Sequence, residues 1–145
     1  MFKISRLTDY GVVLLSHLAQ SHGLKAAPSS ARDLALASGL PLPTVSKLLK
    51  ILAKHRVVAA HRGALGGYEL LKDPKQLSVL TLIEAFEGKP AITTCMKENA
   101  MSCAIHGSCG QKGGWHLVHR KVAHQLSQIS LFELMSAGSE TGVLP

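Results

Sequence analysis

Cys95, Cys103 and Cys109 are the only cysteines in a chain of 145 residues. Their spacing is C-x7-C-x5-C, on a stretch (89–114) rich in Gly, Ser, Asn and Lys. That composition belongs to a loop, not a core. Three thiols in one chain cannot all pair as disulfides, so a metal ion or an iron–sulfur cluster is the leading chemistry. Structural zinc sites usually carry close cysteine pairs, and none is present here. Wide spacing on a Gly-rich loop suits a larger object that the loop must wrap. Iron–sulfur clusters take four protein ligands, usually thiolates. The fourth must then be different: His106, a carboxylate, or a group from another subunit. A cluster with one weaker ligand is more labile, which suits a sensor. Inert surface thiols and a zinc site using His106 are the alternatives. His116, His119 and His124 read as a solvated helix face.

A second constellation lies upstream. Pro43, Thr44, Ser46 and Lys47 open a segment whose apolar stripe is Val45, Leu48, Leu49 and Leu52. A shorter helical pattern at 30–38 precedes it, with Ser30 and Asp33 resembling a capping box and Gly39 as its stop. Two short helices joined by a tight Gly-containing turn read as helix-turn-helix. In such a unit the second helix puts its N-terminal residues on base edges in the major groove. Thr44 and Ser46 can hydrogen-bond several bases, and Lys47 can reach guanine acceptors. Lys50 and Lys54 are placed for phosphates. A strand at 57–60, a turn at 62–67 with three glycines and a strand at 68–71 make a hairpin, so the unit reads as a winged helix. His61, Arg62 and Gly66 belong to that wing.

The remaining elements position these two sets. Residues 7–20 have helical spacing, with Thr8 and Asp9 near the start. Residues 80–87 form another short helix ended by Gly88. Residues 115–135 read as one long amphipathic helix with Trp115, Val118, Val122, Leu126, Ile129 and Phe132 on one side. The same stripe on a second chain is the economical partner for it, so a homodimer is expected. The fold class is mainly α: a winged helix-turn-helix DNA-binding domain (1–79), then a cluster-binding loop and dimerisation helix (80–136), then a flexible tail (137–145).

Composition is consistent with this. Apolar residues make up 46% of the chain, enough for a core, and the net charge of +7 suits a polyanion such as double-stranded operator DNA. No apolar run reaches the roughly 18 residues of a membrane span, and no signal-peptide pattern opens the chain. A reducing cytoplasm, where thiols stay free as ligands, is the expected compartment. An enzyme is not expected, because no nucleophile–base pairing is evident and Gly63–Gly67 lacks the Lys-Ser/Thr of a phosphate loop.

Taken together, these residues resemble the Rrf-type winged-helix transcription regulators, the IscR/NsrR group. The resemblance rests on LTDYG at 7–11, the helix-turn-helix, GALGGYEL at 63–70, the three-cysteine loop and Trp115 at the start of the final helix. It covers nearly the whole chain, and the opening is most similar to the subgroup that regulates the SUF iron–sulfur assembly operon. The resemblance implies a homodimer held by the C-terminal helices and a 2Fe–2S or 4Fe–4S cluster on Cys95, Cys103 and Cys109. It further implies Asp9 of the partner subunit as fourth ligand, with His106 the second choice. In the other scheme of the family a His follows the last cysteine by three residues. Lys112 stands there in this chain, and the first cysteine gap is seven residues where the family usually has five. The function implied is a cluster-sensing repressor of iron–sulfur assembly genes. A nitric-oxide or redox sensor of the same family, or a zinc or iron–sulfur trafficking protein with no DNA role, are the alternatives.

Overall fold

The computed structural model describes residues 3–22, 27–96 and 103–140. The order of elements is α1 (Arg6–Gln20), α2 (Ala31–Ser38), α3 (Leu42–Lys54), β1 (Val58–His61), β2 (Gly67–Leu70), α4 (Val79–Glu87), α5 (Lys112–Gln128) and α6 (Leu131–Glu140). Among the described residues between α4 and α5, Thr94–Met96 form a 3-10 turn.

Polar side chains set the helix starts. Ser5, Ser30 and Ser78 each accept a backbone N–H from three residues on, capping α1, α2 and α4. At α2 the Ser30 hydroxyl also donates to Asp33 Oδ2 at 2.6 Å, so the two residues expected to form a capping box meet through the hydroxyl. Gly39 closes α2 in the left-handed region at φ 69°, a conformation glycine adopts without penalty. At the end of α3 the same role falls to Arg56, with φ 55°. There the Val57 N–H donates to Leu52 O at 2.9 Å and the Arg56 N–H to Ala53 O at 3.1 Å.

The core forms where the apolar stripes converge. Leu14, Leu15 and Leu18 of α1 meet Val45, Leu48, Leu49 and Leu52 of α3, with Leu34, Val57, Val58, Leu70, Leu77, Leu82 and Leu131 around them. Each buried Leu or Val contributes roughly 1.5–3 kcal/mol relative to exposure, so the stripe of α3 fixes which of its faces is left outside. β1 and β2 pair antiparallel, with Val58 opposite Leu70 and His61 opposite Gly67. A bridge from Ser29 to Tyr68 ties this hairpin to the chain ahead of α2. The result is a winged helix, mainly α, as expected. The two strands sit one residue off the expected positions, because Val57 is consumed by the turn after α3.

The C-terminal region departs from expectation. One helix was expected over 115–135; two form, α5 and α6. The reason is a capping box at Ser130. Its hydroxyl accepts the Glu133 N–H at 3.2 Å, while the Glu133 carboxylate accepts the Ser130 N–H at 2.7 Å. Ile129 is extended (φ −87°, ψ 122°), and this stretch pairs with the start of α4: Val79 N–H to Ile129 O and Leu131 N–H to Leu77 O, both 2.8 Å. α6 then continues through Glu140, past the point where the tail was expected to begin; residues 141–145 lie outside the described residues.

Candidate functional site

The first set of candidate residues lies on α3. Burial of Val45, Leu48, Leu49 and Leu52 turns Pro43, Lys47, Lys50 and Lys54 to solvent, with Thr44 and Ser46 half-buried beside them. These exposed positions advance by three or four residues and so form one stripe. The wing follows directly. Arg62 is exposed and Gly66 sits inside the turn, its N–H donating to Gly63 O at 3.0 Å. His61 is engaged within the hairpin, its Nε2 lying 2.7 Å from Glu69 Oε1. The described residues thus place Thr44, Ser46, Lys47, Lys50 and Arg62 on accessible surface, as a groove-reading helix and a wing require.

The second set lies between α4 and α5. Cys95 is on the 3-10 turn and Cys103 and Cys109 are in the turns leading to α5; all three are free and partly exposed. Residues 97–102, between the first two cysteines, lie outside the described residues. The Cys95 Sγ is 3.0 Å from the Thr93 hydroxyl. His106 Nε2 is 3.2 Å from Lys112 Nζ, so the second-choice ligand and the residue at the alternative histidine position face each other. The donors suit an iron–sulfur cluster in kind, being soft thiols in series on one excursion. Among the described residues, no three of His, Cys, Asp and Glu are grouped closely enough to hold a metal ion.

Asp9 sits in the first turn of α1, exposed, at the rim of an apolar cleft of about 200 Å³ lined by Ile4, Thr8, Val12, Val79, Leu82, Ile83 and Leu134. A polar tie that sequence reading missed fixes this turn. The Thr8 hydroxyl and the Ser5 N–H both donate to Glu87 Oε1 at the end of α4. The Thr8 bond, followed by that from Ser5, holds the Glu87 carboxyl below its ordinary value of 4.5. Asp9 is therefore fixed relative to Gly88, where the chain leaves α4 for the cysteine loop. No local signal marks this pair, because Thr8 and Glu87 are 79 residues apart.

These features define a class: a winged-helix protein with a cationic reading helix and a thiol-bearing loop. A family model described as Rrf2, iron-dependent transcriptional regulator, matches residues 4–137, and the chain belongs to that family. It is 27% identical to protein rrf2 of Nitratidesulfovibrio vulgaris over 94% of this chain and 89% of that protein. Among solved structures it is similar to CymR, the global cysteine regulator of B. subtilis, with a TM-score of 0.69 and 27% identity over 94% of this chain and 98% of the other. It is equally similar in sequence to T. potens IscR, with a TM-score of 0.66 and 27% identity over 99% and 93% of the two chains. The chain is an Rrf2-family transcriptional regulator of the IscR/NsrR group, not an enzyme. No described helix is long and apolar enough to cross a membrane.

Proposed function

We propose that this chain is an iron–sulfur-cluster-sensing repressor that binds operator DNA as a homodimer and controls SUF-type cluster-assembly genes. The observation that carries this reading is the gathering of all three free thiols on one excursion between the winged helix and α5. Cys95, Cys103 and Cys109 would hold the cluster, with Asp9 of the partner subunit as fourth ligand and His106 as second choice. When bound, the cluster supplies a ligand that is lost when iron is scarce or when oxidants or nitric oxide attack.

The chain's own residues connect that loop to DNA. Glu87 ties the Asp9 turn of α1 to the end of α4, and α1 packs against α2, α3 and β2. Ordering the loop can thus bias the placement of the reading helix, as a ligand that prefers one of two states does. The dimer reading rests on α5, which packs on α4 yet buries none of its residues. Its Trp115, Leu117 and Val118 remain 42–47% exposed, a face that a second copy would cover.

A second reading, in which the thiols act without a cluster, draws on the absence of a metal-holding group among the described residues. Iron and acid-labile sulfide counted in protein purified without oxygen separate the two. Stoichiometric iron and sulfide with visible absorption support the cluster; a colourless, zinc-loaded or metal-free sample overturns it.

A further inference from the structure

Leu65 is the most exposed large apolar side chain among the described residues, at 84%. A lone exposed leucine is ordinary on a protein surface, but this one stands on a turn built to hold it out. The Gly66 N–H donates to Gly63 O at 3.0 Å. A Cβ on Gly66 would lie 2.3 Å from His61 O and 2.9 Å from the Arg62 carbonyl carbon, so the turn closes only with glycine there. Gly63 adopts φ 107°, which L side chains rarely reach. The base of the hairpin is pinned as well: Tyr68 N–H donates to Ser29 O at 2.8 Å, and Ser29 N–H to Tyr68 O at 3.0 Å. The tip therefore projects Leu65 in one shape. Around it are exposed Arg62 and His61, the latter held by Glu69.

A rigid apolar tip beside the Arg62 cation, on the hairpin that follows a cationic reading helix, matches duplex DNA. Cations meet phosphates on either side of a groove, and apolar wedges enter the minor groove and part base steps there. We propose that Leu65 is such a wedge: it enters the minor groove beside the major groove read by α3 and selects sites for deformable, A·T-containing steps. This rests on the DNA-binding reading and adds to it a specificity-determining residue that makes no hydrogen bond.

The test uses the full chain and duplexes that the wild type selects from a random library. Affinity is measured across a salt series, and bending by energy transfer between end labels. Leu65→Ala and Leu65→Ser are expected to weaken binding about tenfold and reduce the bend, with the slope of log K on log salt unchanged, since no counterion is released by leucine. Leu65→Met is expected to keep both affinity and bend. Arg62→Ala is expected to lower the slope by about one. Replacing A·T by G·C at the wing subsite places a 2-amino group in the minor groove and weakens the wild type; inosine·cytosine, lacking that group, restores binding. Wild-type affinity and bend in Leu65→Ser overturn the wedge while leaving DNA binding intact. If the wild type selects no duplex, the DNA-binding reading falls, and the wedge with it.

Discussion

Single side chains carry the proposed DNA reading and cluster sensing of this regulator. Lys47 stands exposed one turn into α3, where a lysine reaches guanine acceptors. Lys47→Ala should weaken operator binding by about 1–3 kcal/mol and relax specificity at one position, while cluster content stays at the wild-type level. Cluster loss in the same variant would mean that the two sites are not separate. Glu87 acts differently. Its carboxyl titrates below the ordinary 4.5 because Thr8 and Ser5 donate to it. A depressed folded pKa gives stability that is present above the unfolded value and is lost as pH falls through the folded one. Unfolding measured across acid pH should therefore show wild type losing stability below about 4.5, and Glu87→Gln lacking that part of the dependence. A residue-level strain is open to relief too. Arg56 occupies the left-handed region at φ 55°, so Arg56→Gly should raise stability by about 0.5–1 kcal/mol in urea unfolding.

At the scale of elements, the capping residues and stripes were the legible part. Ser30, Asp33 and Gly39 mark α2 in sequence as they do in structure, because a cap is a local contact between residues three apart. The stripe of α3 was legible for the same reason. The break between α5 and α6 was written equally locally, in Ser130 and Glu133, but the apolar spacing of Ile129 and Phe132 runs across it and masks it. What forces the break is tertiary: Ile129 and Leu131 pair with Val79 and Leu77 at the start of α4. Ser130→Ala should then cost about 1 kcal/mol, read as a lowered urea midpoint. Gly11 shows another non-local determinant. A Cβ there would stand 2.3 Å from the Phe86 ring, so α1 and α4 approach closely at that point. The Glu87–Thr8 tie beside it likewise had no sequence signal. The cysteine triad was visible as chemistry, because three thiols on a Gly-rich stretch are a property of the sequence itself.

Considered as a whole, the molecule packs α1 against both the helix-turn-helix and α4, and α4 in turn against α5, whose Trp115, Leu117 and Val118 stay exposed. That arrangement is coherent as half of a dimer. If α5 forms the proposed dimer interface, Val118→Glu puts a charge on its exposed face and should yield monomer where the wild type sediments as a dimer, with secondary structure retained, because no α5 residue is buried within the chain. A monomeric variant should also lose the cluster if Asp9 of the partner subunit completes it. In the proposed function, the cluster is coupled to DNA. The most direct test of that coupling is affinity for a wild-type-selected duplex in one preparation, cluster-loaded without oxygen and then stripped by chelator. Affinity should change by roughly tenfold between the two states, and Cys103→Ala should be locked at the stripped value. Equal affinity in both states of an iron-loaded protein would contradict it.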